Sequence, residues 1–230
     1  MTRRAITLLG MSGVGKTTVS TILADAGWCH FSCDHRIGTH YLEDEIIRHL
    51  TRKIEQLDDI KPLIDNGTIR ISGQITIENL FLLSQFVGKI GNPEQDGMPY
   101  DEFCRRQSLY YEAEIQSVKD AVTACGQEER DFVCDSTGSL CELPDDTVAA
   151  LAKATDFVYI EASEDDEKML IERAKAYPKP LFYPAAFLDD ALKEYMAEKS
   201  YDYIALIDPD DFCRWVFPKL FYARLPKYKN

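Results

Sequence analysis

Two kinds of apolar pattern alternate along this chain. Short apolar-rich runs occur at residues 6–9 (ITLL), 29–33 (CHFSC), 131–134 (DFVC), 157–160 (FVYI) and 203–207 (YIALI), and runs of this length between polar or turn residues suit strands covered on both faces. Longer stretches carry a helical period. In residues 17–26 (TTVSTILADA), Val19, Ile22 and Leu23 share one helical face, and Gly27 ends the helix. Residues 43–57 have the same character, Thr76 is placed to cap a helix running to Val87, and a long helix covers residues 100–124 after the loop GNPEQDGMP. Strands separated by helices predict an α/β fold of three layers with a five-stranded parallel sheet.

About a hundred residues separate the second run from the third, far more than a crossover needs. Residues 41–130 are therefore expected to form an α-helical insertion. Both its ends lie on neighbouring strands, so the whole chain, 1–230, reads as a single domain carrying that insertion.

Composition narrows the partners. The formal net charge is −13 and the chain is 45% hydrophobic and 28% charged, which suits a packed core and disfavours nucleic acid or an anionic membrane surface as a partner. Seven cysteines with no CxxC pair suit free thiols in a reducing compartment. The basic start MTRR precedes an apolar run too short for export or for a membrane span. A cytoplasmic protein is the expectation; the oligomeric state is not set by the sequence.

Directly after the first run stands GMSGVGKTT, residues 10–18. Gly10, Gly15, Lys16 and Thr17 satisfy G-x-x-x-x-G-K-[ST], between an expected strand and an expected helix. Glycines let backbone amides wrap phosphate oxygens, and a helix start adds partial positive charge. The expected nucleotide contacts are Gly10, Ser12, Gly13, Val14, Gly15, Lys16, Thr17 and Thr18, with the Lys16 ammonium on the terminal phosphates and the Thr17 hydroxyl on magnesium. The plainer alternative is a glycine-rich turn with a surface lysine.

In open α/β sheets, ligands lie beyond the carboxyl ends of the strands. Asp34, Asp135, Glu161 and Asp208 each follow one of the runs. Asp135, in DFVCDSTGS, suits a magnesium-shell carboxylate beside Thr17, or a turn cap. Asp34, in FSCDHRIG, suits a base that accepts a proton from a substrate hydroxyl, or a helix cap. Glu161 and Asp208 read foremost as caps or loop anchors. His30, His35, His40 and His49 fall close together with Cys29 and Cys33. Strand alternation sends neighbours to opposite faces, and no structural-zinc spacing appears, so strand burial and a solvated helix face are preferred to a zinc site.

The phosphate-binding loop, FSCDHRIG and FVYIEASEDDEKMLIERAKAYPKPL together resemble the P-loop small-molecule kinases of the shikimate kinase and nucleoside monophosphate kinase group, with shikimate kinase the nearest pattern. Phe31, Asp34 and Ile37 match that family's F-D-x-D-x-x-I stretch, while Ser32 replaces its first acid, so one magnesium-associated carboxylate is missing. Arg173 and Pro180-Leu181 are similar to its lid. The glycine triplet that holds shikimate is replaced by Asp135-Ser136-Thr137-Gly138. The resemblance covers about half the chain. The stretches DHRIG, RRQ, CDSTGS, PKPLFY and DPDDFCRW also resemble a group of bacterial proteins known only as ATPases.

What the resemblance implies is an ATP-dependent phosphotransferase with magnesium, acting on a small hydroxylated, anionic metabolite. Lys16, Asp34 and Arg173 are its expected catalytic residues, and Thr17 and Asp135 its metal ligands. Asp34, Arg36, Arg105, Arg106 and Gly138 are its expected acceptor contacts. Arg105 and Arg106 have a plain alternative as part of a solvated helix face, and Arg173, Lys175 and Lys179 as partners of the acidic run 164–167. Trp215, Phe217 and Phe221 read as core or interface rather than nucleotide stackers. The competing reading is a nucleotide-dependent regulatory ATPase or switch with a protein partner. A GTP-binding protein is weaker, because no N-K-x-D stretch appears.

Overall fold

The computed structural model describes residues 3–229. β1 (Ala5–Leu9) leads through the glycine-rich loop to α1 (Lys16–Asp25), and β2 (Cys29–Ser32) follows. The chain then forms the one-turn α2 (Cys33–Arg36), which widens into a π turn at Ile37–Tyr41. It continues with α3 (Glu43–Ile54), α4 (Lys61–Asp65), α5 (Phe81–Val87), the short parallel pair β3 (Lys89–Ile90) and β4 (Gly97–Met98), and the long α6 (Tyr100–Gln127). Then come β5 (Phe132–Asp135), α7 (Asp145–Ala154), β6 (Asp156–Tyr159), α8 (Glu164–Ala176), α9 (Ala185–Lys199) and α10 (Pro209–Lys229).

The main sheet is parallel, in the order β2-β5-β1-β6. Leu8 and Ser32 lie in register with Asp135 on either side, so the carboxyl ends of β1, β2 and β5 finish together. On one face, Phe132, Cys134 and Leu9 pack with Val118, Ala121 and Cys125 of α6 and Leu151 of α7. α1 packs against β5, β2 and β1.

Four strands form this sheet where five were expected. Residues 203–207 instead make a 3₁₀ turn at Ile204–Leu206, with Tyr203 71% and Leu206 52% exposed. Ile207 is fully buried, but its carbonyl accepts from Asn92 N at 2.8 Å. Its carbonyl is thereby engaged by Asn92 rather than by β6.

Two helix expectations also change. In α1 the inward positions are Lys16 and Ser20, while Val19 is 37% and Ile22 62% exposed. The lysine must turn back into the loop, which fixes the helical phase, and the next inward position comes one turn later. The helix expected from Thr76 begins at Phe81. Thr76 Oγ1 accepts from Asn79 N at 3.1 Å, closing a turn, and Asn79 Oδ1 accepts from Phe81 N at 3.1 Å.

The segment between β2 and β5 shares apolar packing with the C-terminal part of the chain. Ile90, Met98 and Phe103 bury against Leu188, Tyr195, Phe212 and Val216 of α9 and α10. A second cluster joins Ile37, Leu83 and Phe86 to Tyr110 of α6 and to Phe182 between α8 and α9. No helix of the described residues is long and apolar enough to cross a membrane.

Candidate functional site

The loop between β1 and α1 closes around its own lysine. Lys16 Nζ donates to the carbonyls of Gly10 at 2.8 Å and Met11 at 3.1 Å. Burial holds its pKa below the ordinary lysine value, against the opposing pull of the Asp135 and Asp34 charges. Gly15 caps α1 with φ 100°, in the left-handed region where a Cβ brings strain. That turn presents the unbonded amides of the helix start to the loop's mouth.

A cavity of about 260 Å³ opens there. Ser12, Gly13, Gly15, Lys16, Thr17 and Thr18 line it. Gly10 and Val14 act from behind: the Gly10 carbonyl holds Lys16, and Val14 packs on the cluster of Met11, Leu170 and Phe221. Arg173 lines this cavity and also a neighbouring one of about 220 Å³, which shares Ser12 and Gly13 and reaches Tyr177, Lys179 and Phe217. Phe221 is fully buried, and the Trp215 indole donates to Glu198 at 2.9 Å.

Both strand-end aspartates reach the first cavity. Thr17 Oγ1 donates to Asp135 Oδ2 at 2.7 Å, so a hydroxyl and a carboxylate meet where a divalent ion beside phosphates would need them. Among the described residues no group of three or more His, Cys, Asp or Glu side chains could hold a metal. Two protein oxygens with phosphates and water completing the shell is nevertheless how magnesium is commonly bound, so the pair fits that ion.

Asp34 is not a helix cap; Ser32 is, its hydroxyl accepting from His35 N at 3.3 Å. Asp34 lines the cavity and accepts a hydrogen bond from Tyr110 at 3.0 Å on Oδ1. Burial raises its pKa, while the Tyr110 hydrogen bond and the Lys16 charge pull it back. Asp208 is a cap, accepting from Asp210 N and Asp211 N at 2.9 Å.

Three expected acceptor contacts are engaged elsewhere, and none lines the cavity. Arg36 donates to Asp120 at 2.7 Å. Arg105 is exposed and pairs with Glu102 and Glu45. Arg106 is buried and donates to Glu102 and to Phe86 O, both at 2.7 Å. Gly138 does line the cavity, and a Cβ there would meet Ser12 N at 3.1 Å; the loop after β5 thus lies against the glycine-rich loop.

A buried polar group behind that contact escaped the sequence reading. Glu114, fully buried on α6, accepts from the Thr137 hydroxyl and, at 2.9 Å, from Ser139. Burial pushes its pKa up to about 7 against the pull of those hydroxyls. Arg224 of α10 is 3% exposed and donates to Gly138 O at 3.2 Å, Phe182 O at 2.9 Å and Glu142 at 3.1 Å. The available signal was spacing: Gln107, the pair Tyr110 and Tyr111, and Glu114 follow one another at three to four residues on α6, a single face.

No protein-family model matches the chain, and no curated protein matches it as a relative.

Proposed function

We propose that this protein is an ATP-dependent phosphotransferase acting on a small hydroxylated acceptor. The observation that carries this reading is that one cavity holds both a phosphate-binding loop, with Lys16 and Thr17, and a buried carboxylate, Asp34, placed to take a proton. The resemblance to P-loop small-molecule kinases supports it.

In this reading the loop amides and Lys16 hold the triphosphate, with the adenine in the adjoining cavity beside Phe217. The Tyr110 hydroxyl holds Asp34 by Oδ1, leaving Oδ2 to accept the acceptor's hydroxyl proton. Lys16 leaves the Gly10 and Met11 carbonyls for the transferring phosphoryl group, and Arg173 meets it from the lid side. Magnesium, held by Thr17 and Asp135, would neutralise phosphate charge. The acceptor is uncharged, because Arg36, Arg105 and Arg106, which would have bound an anion, pair with carboxylates of the chain itself.

Calorimetry with ATP and with GTP, each with magnesium, followed by a metabolite screen for ADP release with Lys16→Ala as control, tests this. Heat with ATP and acceptor-dependent ADP release are expected. The absence of heat with either nucleotide overturns it. One observation favours a second reading, a switch ATPase with a protein partner: Val19 and Ile22 on α1, and Val158 on β6 at 41% exposure, leave apolar side chains uncovered. Steady hydrolysis without an acceptor, stimulated by a protein partner, would favour that reading.

A further inference from the structure

The tyrosine that holds Asp34 is stacked on an aromatic ring of the chain's own. Residues 178–184 form a strap between α8 and α9, and its Phe182 ring stacks between Tyr110 and Tyr111 of α6. The centroid distances are 5.8 and 5.6 Å and the interplanar angles 25° and 11°. Tyr110 is the residue whose hydroxyl holds Asp34, so the sandwich ends at the proposed base.

The strap has few polar anchors, while Leu181, Phe182 and Tyr183 pack into the neighbouring apolar clusters. Gln107 grips its backbone on both sides of Phe182, donating to Leu181 O at 3.3 Å and accepting from Tyr183 N at 2.9 Å. Arg224 donates to Phe182 O. A cavity of about 280 Å³, bounded by Gln107, Tyr111, Phe182 and Tyr183, lies beside the ring. It gives the ring somewhere to go. Glu142 also borders that cavity, but its carboxylate is taken by Arg224 and Lys227, so no free cation or anion is offered there.

We propose that Phe182 occupies the acceptor's place, and that the acceptor is an uncharged monocyclic heteroaromatic alcohol carrying a lactam edge. This rests on the phosphotransferase reading above. Each feature of the ligand answers a group already present. A flat ring replaces Phe182 between two tyrosines, where offset stacking favours aromatic faces. A C=O beside an N–H replaces the strap's peptide groups on the Gln107 amide, which otherwise would be left buried without partners. A hydroxyl reaches Asp34. An anionic ring is disfavoured, because Asp34 and the fully buried Glu114 stand near this end of the sandwich.

Atoms balance without a further reactant. The bond from the terminal phosphorus of ATP to its bridging oxygen breaks, releasing ADP. A bond from that phosphorus to the acceptor's hydroxyl oxygen forms, and the hydroxyl proton passes to Asp34.

The test uses the full chain and four probes: hydroxymethyluracil, benzyl alcohol without the lactam edge, glycerol without the ring, and hydroxymethylbenzoate with a negative charge. Calorimetry is run in magnesium and a non-hydrolysable ATP analogue, and ADP release and phosphorylated product are measured with ATP. Hydroxymethyluracil is expected to bind and to raise ADP release by about tenfold or more, benzyl alcohol less, and the other two not at all. In Tyr111→Leu the KM for hydroxymethyluracil should rise about tenfold, with kcat and analogue affinity within about twofold of wild type; a purely structural role for Tyr111 would not separate these. If the analogue binds normally while hydroxymethyluracil gives neither heat nor product, or if glycerol or hydroxymethylbenzoate matches it, the inference is overturned. Failure of the analogue itself to bind overturns the phosphotransferase reading, and this inference with it.

Discussion

The glycine-rich loop after β1 and the inner face of α6 meet at Asp34, yet they are built in opposite ways. The loop is nine consecutive residues whose chemistry comes from backbone: a left-handed Gly15, a helix start, and Lys16 folded onto the carbonyls of Gly10 and Met11. The α6 face draws on Gln107, Tyr110 and Glu114, on Thr137 and Ser139 after β5, on the strap, and on Arg224 from the last helix. A function carried by local backbone is written in adjacent letters. One carried by groups from four parts of the chain exists only after those parts have packed.

The largest effect separates the two halves of the site. Lys16→Ala removes the ammonium at the phosphate end and should lower turnover by about a thousandfold or more, with nucleotide affinity falling too. Asp34→Asn should leave nucleotide affinity within about threefold while transfer falls by about a hundredfold to ten-thousandfold. Calorimetry and steady-state ADP release on both variants would show it. Equal loss of binding in the two variants would erase the division between a phosphate end and a proton-accepting end.

Next in size is the pin that holds the α6 side together. Arg224→Met leaves Glu142 buried with Lys227 as its remaining cation and strips the Phe182 carbonyl of its donor. Breaking a buried pair in this way costs about 3–5 kcal/mol, and chemical denaturation should register it. A loss below about 1 kcal/mol would place the pair among surface bridges in its effect.

The strands at 6–9, 29–33, 131–134 and 157–160 were readable because each apolar run pairs with a similar run and nothing competes. Residues 203–207 carry the same letters but give their backbone to Asn92, a partner more than a hundred positions away in sequence. The face of α1 was misjudged for a related reason: Lys16 sets the helical phase through the loop, and hydrophobic spacing alone does not include that constraint. Glu114 was passed over because a glutamate in a charged helix ordinarily faces water. Only the hydroxyls of Thr137 and Ser139, brought by β5, make its burial tolerable.

Glu114 also gives the comparison a pH handle. Its folded-state pKa, about 7, lies above its ordinary 4.5, so the folded chain holds this proton more tightly than the unfolded chain. Stability from this group is therefore greatest at low pH, falls between about 4.5 and 7, and is level above. His49 works in the other direction. Its pKa is pushed down from 6.5 to about 4 by burial, so its contribution is lost as pH falls through that range. Measuring wild type against Glu114→Gln cancels the histidine. Between pH 4.5 and pH 8 the wild type should lose on the order of 3 kcal/mol relative to the variant. A difference independent of pH would mean that Glu114 is not a buried titrating acid.

The smallest effect is expected one residue from a large one. Arg105 and Arg106 are sequence neighbours on α6, about 100° apart around the helix, and the difference in their surroundings follows from that angle. Arg106, 8% exposed, is held by Glu102 and the Phe86 carbonyl. Arg105 has a side chain 44% exposed and meets Glu102 and Glu45 at the surface, where such pairs contribute about 0–1 kcal/mol and weaken with salt. Arg105→Ala should therefore change stability by less than about 1 kcal/mol and leave the acceptor KM within about twofold, whereas an arginine gripping a carboxylate acceptor would raise that KM by about tenfold or more when removed. A tenfold rise would restore an anionic acceptor and take it away from the tyrosine sandwich, because the two modes of recognition place the substrate on different sides of α6.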